Sequence, residues 1–260
     1  MNLQDFEAYT EQLRNTLESA PGVLALVTLG TTADPALRDQ FSDHDFWLIT
    51  EPGTQDGFVQ DFSWLPDAET IALTVSHGPR RRTVLYRNRH KVEFAVFDVE
   101  EARQGEIERY AMLIDRADVV SLIEGVRLET QRRVAQTQIK SEILQDLCVT
   151  IWSACERHAR GEYLSARQYL EQFALNKYLI WQARVDADGS INGLEPRRRL
   201  EVNRPALAAE LDALSSKPVP LAALDLLEII EREIRRKRPE LDWNGVKMVQ
   251  GWIRELAQVN

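Results

Sequence analysis

Residues Thr28–Thr50 read TLGTTADPALRDQFSDHDFWLIT, and this stretch decides the fold. A short apolar run at residues 23–29 precedes the polar middle of the stretch, and a second run, His44–Thr50, ends it. Continuous apolar runs of this length are typical of strands covered on both faces. Side chains two residues apart on a strand point to the same side, so Asp43 and Asp45 should project together.

Two carboxylates this close repel each other and raise each other's pKa unless a cation lies between them. A hard, oxygen-seeking ion such as Mg²⁺ is the natural partner. An Asp-x-Asp pattern alone also fits a solvated turn that caps a strand. Its context favours the ion, because Gly30 with Thr31 closes the preceding strand. A glycine there lets a phosphate approach the backbone, whose N–H groups can bind it.

A third acid, Glu93, lies within the apolar run KVEFAVF at Lys91–Phe97. Strand alternation puts Glu93 and Ala95 on one face, and Val92 and Phe94 on the other. An ionised glutamate in a buried strand is costly unless it is paired or bound to a metal. The sequence therefore predicts that Glu93 shares a site with the two aspartates.

The order of elements predicts an α+β fold, with a mixed sheet flanked by helices over residues 1–128 and an all-helical domain over residues 129–260. Apolar periodicity and turn residues set the element boundaries. Strands are expected at residues 23–29, 44–50, 70–76, 83–87, 91–99 and 119–123, and helices at residues 2–19, 58–64, 129–159, 163–184, 205–215, 220–236 and 244–258.

Charge is distributed unevenly along the chain. Residues 1–130 hold 12 Lys/Arg and 23 Asp/Glu, whereas residues 131–260 hold 20 and 18. An acidic first half argues against a broad nucleic-acid surface and is compatible with metal ions or a cationic substrate. The pattern leaves the oligomeric state open.

The compartment is predicted from absent signals. The first residues lack the basic and apolar regions of a signal peptide, and no apolar run approaches a membrane span. Cys148 and Cys155 are seven residues apart, about 10 Å along a helix, which is too far for a disulfide. We therefore expect two buried thiols facing a helical core, no membrane association and a cytoplasmic protein.

A dense basic cluster, RRR at residues 80–82, stands out in the acidic half. It fits a solvated hairpin, and Arg82 is the best candidate for a phosphate or carboxylate contact. His44 should face away from both aspartates and so have a structural role. Trp47, Trp152 and Trp181 lie among apolar neighbours and are expected in the core.

The combination of Gly30-Thr31, Asp43-His44-Asp45 and Glu93, which covers roughly residues 23–98, resembles the DNA-polymerase-β-like nucleotidyltransferase superfamily. The run SDHDFWLIT, followed by RRRTVLYRNRHKVEFAVFD and a helical domain, looks like the antibiotic nucleotidyltransferases. The resemblance implies transfer of a nucleotide, usually AMP from ATP, to a hydroxyl of a small acceptor such as an aminoglycoside or lincosamide. It also implies two Mg²⁺ ions, an NTP co-substrate and a role in antibiotic resistance.

The resemblance also implies roles for particular residues. Asp43, Asp45 and Glu93 would be the catalytic and metal-binding acids, with Glu93 either a metal ligand or the base that accepts the acceptor's proton. Nucleotide-binding residues would be Gly30, Thr31, Ser42, Arg82 and Lys177, the last chosen ahead of Arg167 on the second long helix of the helical domain.

Three alternatives remain open. The chain could be an antitoxin-type relative that binds or modifies a partner protein, although its long helical domain disfavours this. It could act on a protein or a tRNA end, which the acidic first half disfavours. It could also be a non-catalytic relative, against which the presence of all three acids argues.

Overall fold

The computed structural model describes residues 2–136, 141–186 and 188–259. The chain divides into two compact units, Met1–Arg133 and Val134–Asn260. The first unit contains a mixed sheet with helices and the second is helical, so the predicted α+β class is confirmed. None of the described helices is long and apolar enough to cross a membrane.

The first unit is built on a six-stranded sheet with the order β3-β4-β5-β2-β1-β6. The strands β2 and β5 run parallel, and every other neighbouring pair is antiparallel. The strands are β1 (Val23–Leu29), β2 (His44–Thr50), β3 (Ile71–Ser76), β4 (Arg81–Tyr86), β5 (Lys91–Phe97) and β6 (Tyr110–Asp115).

The helices of the first unit are α1 (Leu3–Glu18), α2 (Gly30–Ala33), α3 (Gln55–Gln60), α4 (Val99–Ala102) and α5 (Val119–Gln136). Two hydrophobic clusters cover the two faces of the sheet. One packs Phe46 and Phe94 against α1 and α3, and the other packs Trp47 and Ala95 against α4 and α5. Strand alternation assigns Asp45 and Glu93 to the second face, on the side of Trp47 and Ala95.

The helical unit contains α6 (Ser141–Ala159), α7 (Tyr163–Arg167), a π-helical segment (Gln168–Ala174), α8 (Leu175–Asp186), α9 (Leu200–Asn203), α10 (Pro205–Asp212), α11 (Val219–Arg235) and α12 (Asn244–Val259). One cluster of buried residues runs through this unit. It includes Cys148 and Cys155, which are free thiols, as predicted. Trp181 also lies in this cluster, and Trp152 packs against it.

The strand predicted at residues 119–123 is wrong, because this segment is the first turn of α5. The Asp115 carboxylate accepts hydrogen bonds from the backbone N–H groups of Val119 and Val120, at 2.8 and 3.1 Å, and so supports the start of the helix. The sixth strand is β6, which pairs with β1 and was not predicted. Apolar β-branched residues occur in both kinds of element, so residues 119–123 could not be assigned from composition alone.

Three predicted helices also differ from the observed ones. The helix predicted at residues 58–64 is α3, which ends at Gln60, and a turn held by Asp61 and Ser63 follows it. The helix predicted at residues 129–159 corresponds to the end of α5 and to α6, and residues 137–140 lie outside the described residues. The helix predicted at residues 163–184 is divided by the π-helical segment into α7 and α8. The helices predicted at residues 205–215, 220–236 and 244–258 are confirmed within a few residues at their ends.

Candidate active site

The acids of β2 and β5 meet because these two strands pair in parallel. In this register Asp45 lies beside Glu93, and His44 lies beside Val92. Adjacent strands are about 4.8 Å apart, so the side chains of Asp45 and Glu93 leave the sheet together on one face. Asp43 directly precedes β2 and is therefore next to Lys91 at the start of β5. Asp43, Asp45, Lys91 and Glu93 therefore lie together on one face, at one end of the two strands.

Lys91 occupies the space between two of the acids. Its Nζ lies 2.7 Å from Asp43 Oδ2 and 3.2 Å from Glu93 Oε2. Desolvation lowers the pKa of Lys91, but the hydrogen bonds and charges of the two carboxylates outweigh it, so the pKa is raised. The ammonium group therefore keeps its positive charge within the acidic site. In the sequence, Lys91 was only the first residue of the run that contains Glu93.

Thr32 fixes the backbone on both sides of His44. Its buried hydroxyl donates to the Asp43 carbonyl at 3.1 Å and accepts from the Asp45 N–H at 2.9 Å. The threonine therefore holds the backbone from which the side chains of Asp43 and Asp45 extend. The sequence could not distinguish Thr32 from Thr31, because the two are identical neighbours. Both are also buried in the structure.

Gly30 lies against the same site. Its φ of +53° is in the left-handed region, which favours glycine, and a Cβ there would lie 3.8 Å from Asp45 Oδ2. Arg38 anchors the turn from the other side, because its guanidinium donates to the carbonyls of Thr31 and Thr32 and stacks 5.1 Å from the Phe6 ring. Hydrogen bonds of Thr32 and Arg38 thus hold the Gly30 turn against the backbone of the aspartates.

Glu93 is less buried than the sequence suggested. Its side chain is 43% exposed, compared with 21% for Asp43. The physical reason is its position near the start of β5, where the strand is still open to solvent. Thr83 on β4 donates to Glu93 Oε1 at 3.3 Å, and His77 Nε2 lies 2.9 Å from the Thr83 hydroxyl. The pair with Lys91, the contact with Thr83 and access to solvent therefore account for a carboxyl group at this position.

Ser42 shapes the turn that leads into the acids. Its hydroxyl accepts from the Asp39 N–H at 2.9 Å and donates to the Asp39 carboxylate at 3.3 Å. These contacts position the residue before Asp43, and a direct role of Ser42 in nucleotide binding stays a prediction.

The structure does not bring Arg82 to the acids. Arg82 pairs with Phe94, so it lies on the sheet face opposite Glu93. Its guanidinium donates to the Val59 carbonyl at 3.1 Å and to the Gly78 carbonyl at 2.9 Å. Arg81 belongs to the same face as Glu93, because it pairs with Ala95. The face of each arginine follows from alternation along β4 only when the pairing of β4 with β5 is known.

Lys177 and Arg167 already have partners within the helical unit. Lys177 Nζ lies 2.7 Å from Asp146 Oδ2 and 3.1 Å from the Thr150 hydroxyl, both on α6. Arg167 donates to Glu171 at 3.0 Å and to two backbone carbonyls. The pair with Asp146 gives Lys177 a structural role within the helical unit, and its role in nucleotide binding stays a prediction.

His44 has the structural role predicted for it. It is fully buried, stacks 3.7 Å from the Phe6 ring, and its two nitrogens contact Thr10 at 2.8 Å and His90 at 3.0 Å. Desolvation, with the neighbouring His90, lowers the pKa of His44 to about 2. Desolvation likewise lowers the pKa of His90 to about 4. Both imidazoles are therefore neutral at neutral pH.

The donor set has the chemistry that a hard divalent cation requires, since Asp43, Asp45 and Glu93 present only carboxylate oxygens. Among the described residues, however, no group of three or more potential ligands has the geometry of a metal site. The Lys91 ammonium contacts the same two oxygens that would bind an ion. The residues therefore fit a metal ion provided that the Lys91 side chain moves aside.

A scan of protein-family models and a search of curated proteins found no match to the chain. Among solved structures, a nucleotidyltransferase-like protein from Exiguobacterium sibiricum is 14% identical, with 90% of this chain and 77% of that chain covered and a TM-score of 0.38. An aminoglycoside 6-adenyltransferase from Bacillus subtilis is 12% identical, with coverage of 96% and 97% and a TM-score of 0.39. The argument for function therefore comes from the site residues themselves.

Proposed function

We propose that the protein is a metal-dependent nucleotidyltransferase that transfers a nucleotide, AMP from ATP, to a hydroxyl group of a small molecule. The observation that carries this proposal is the pairing of Asp45 with Glu93 beside Asp43, directly against the Gly30 turn. It places three carboxylates and a glycine-containing turn at one end of the sheet. Such a set can serve a reaction at a phosphate.

The chemistry assigns a task to each part of the site. The acceptor oxygen attacks the α-phosphorus of the nucleotide, a new P–O bond forms, and the bond to the leaving pyrophosphate breaks. Mg²⁺ bound to the carboxylates would neutralise the charge that develops on the phosphate oxygens. Asp43 and Asp45 would hold it. Glu93, which is half exposed, would either complete this ligand set or accept the acceptor's proton.

The acceptor class follows from the resemblance of the motif to antibiotic nucleotidyltransferases. We propose a hydroxylated antibiotic, with an aminoglycoside or a lincosamide as the first candidates. A cationic acceptor also suits the acidic first half of the chain.

The test is a screen for pyrophosphate release with Mg²⁺, each NTP and a panel of hydroxylated antibiotics. Asp43→Asn should reduce the rate by at least about a hundredfold, because an amide is a poor ligand for a hard cation. Glu100→Gln is the matched control, since Glu100 is an exposed carboxylate on α4 whose partner is Arg103. Wild-type turnover in Asp43→Asn would refute the assignment of the site.

A second candidate is a non-catalytic relative that uses the fold to bind a partner protein. The observation that favours it is the ammonium of Lys91 between Asp43 and Glu93, which offsets part of the site's negative charge without any metal. The same screen separates the two candidates, because a non-catalytic protein releases no pyrophosphate with any NTP and acceptor.

A further inference from the structure

We propose that Lys91 is the internal counter-ion of the acidic site and competes with a divalent cation for Asp43 and Glu93. The inference rests on the proposed function, since it concerns how the same site takes up its metal. It assigns to Lys91 a positioning role that neither the motif nor the comparisons indicate.

The arrangement follows from two short segments that lie side by side. Asp43-His44-Asp45 is next to Lys91-Val92-Glu93 in the parallel register, so three carboxylates and one ammonium group share one face. Without a cation, the three carboxylates would repel one another. The ammonium group contacts acids from both segments, at 2.7 and 3.2 Å, and so relieves this repulsion.

No described basic group on this face duplicates the contacts of Lys91. The Arg38 guanidinium donates to the backbone carbonyls of Thr31 and Thr32, and its ion pair is with Glu7. Arg81 lies on the same face as Glu93, but its partner on β5 is Ala95, which is two residues further along that strand. Within the part of the chain that the structure describes, Lys91 is therefore the ammonium that neutralises Asp43.

Ammonium and metal exclude each other at these oxygens. Mg²⁺ binds carboxylate oxygens at about 2.1 Å and requires a nearly octahedral set of ligands, which leaves no space for Nζ between the same two acids. The flexible four-carbon stem of lysine allows the ammonium to leave. Metal binding must then break two charged hydrogen bonds, so the affinity of the free protein for the ion is reduced.

This competition predicts the form in which the metal arrives. A free ion has to displace Lys91 without any compensation, whereas a metal–triphosphate complex brings its own negative charges, with which the displaced ammonium can pair. We therefore expect the ion to enter together with the nucleotide. In the absence of nucleotide, the site should remain closed by its own lysine.

The experiment uses Mn²⁺ alone, without nucleotide, and the full-length protein. Lys91→Met should bind Mn²⁺ about tenfold more tightly than the wild type by electron paramagnetic resonance titration, since two ion-pair contacts no longer oppose the ion. It should also melt at a lower temperature than the wild type in EDTA and recover when Mn²⁺ is added. Lys91→Gln, which keeps a hydrogen-bond donor without the charge, should behave in the same way if Lys91→Met folds poorly.

Lys217→Met is the matched control, because Lys217 also pairs with an acid, Asp225, and its side chain is also 43% exposed. This variant should leave Mn²⁺ affinity unchanged. If Lys91→Met and Lys91→Gln bind Mn²⁺ no more tightly than a wild type that does bind it, the inference is overturned while the proposed function stands. If neither the wild type nor the variants bind Mn²⁺, the metal site itself is refuted, and the inference with it.

Discussion

Thr32→Val tests whether the aspartates depend on a buried hydroxyl. Valine has nearly the same shape as threonine but can make neither of the two hydrogen bonds of Thr32, to the Asp43 carbonyl and from the Asp45 N–H. Each backbone group left without a partner costs about 1–3 kcal/mol when it is buried. The site is partly open, so we expect a total loss of about 2–3 kcal/mol in the free energy of unfolding.

Urea unfolding, followed by circular dichroism, measures this loss. Thr32→Ser should recover most of it, because serine keeps the hydroxyl and removes only a methyl group. Thr50→Val makes the same substitution at the end of β2, where the buried Thr50 hydroxyl has no hydrogen-bond partner among the described residues. That variant should be neutral or more stable than the wild type, by up to about 1 kcal/mol.

The two threonines therefore predict opposite signs for one chemical change. If Thr32→Val unfolds within about 0.5 kcal/mol of the wild type, the hydroxyl does not hold the aspartates, because surface substitutions typically produce changes of this size. Equal losses for Thr32→Val and Thr32→Ser would also contradict the argument, since packing alone would then explain them. For the proposed activity, Thr32→Val should lower kcat more than it changes the nucleotide KM.

Three further predictions concern other parts of the molecule. Gly105→Ala should lower the free energy of unfolding in urea by about 1–3 kcal/mol. The added Cβ would lie 2.8 Å from Trp47 Cζ2 and closer still to Cη2. Unchanged stability would show that the Trp47 ring moves freely. Folding lowers the pKa of His44 to about 2 and that of His90 to about 4, so below pH 6.5 the unfolded chain binds more protons than the folded one. The free energy of unfolding should therefore fall as the pH drops from 6.5 towards 4, by up to about 1.4 kcal/mol per pH unit for each histidine. Equal stability at pH 7 and pH 5 would contradict this. Lys177→Ala tests the nucleotide-binding role implied by the resemblance. A severalfold higher NTP KM with an unchanged acceptor KM in steady-state kinetics would support that role, and no effect on either KM would limit Lys177 to its contacts with α6.

Local sequence patterns predicted much of the first unit because its strands are short and nearly continuously apolar. Strands β1, β2 and β5 lie where the apolar runs predicted them. Alternation along β5 also assigned Glu93 and Ala95 to one face, which the core clusters confirm through Ala95. These features depend only on neighbouring residues, so they can be read from the chain alone.

The contacts of the site depend on pairings between distant segments and could not be predicted in the same way. Lys91 meets Asp43 only because β2 and β5 run parallel in one particular register, with β3 and β4 inserted between them in the chain. Arg82 was assigned to the site because it belongs to a basic cluster, but its register with Phe94 turns it to the other face. A shift of one residue in either pairing would reverse these faces.

The charge of the acidic half therefore needs a different interpretation. Its excess of acids, 23 against 12 basic residues over residues 1–130, suggested a place for metal ions. At the site, a free divalent cation must displace Lys91 from Asp43 and Glu93 before it can bind them. A second ion would need the additional charge of the triphosphate. The number of ions bound should consequently depend on the nucleotide, and the formal charge of the chain is a poor measure of its capacity for free metal.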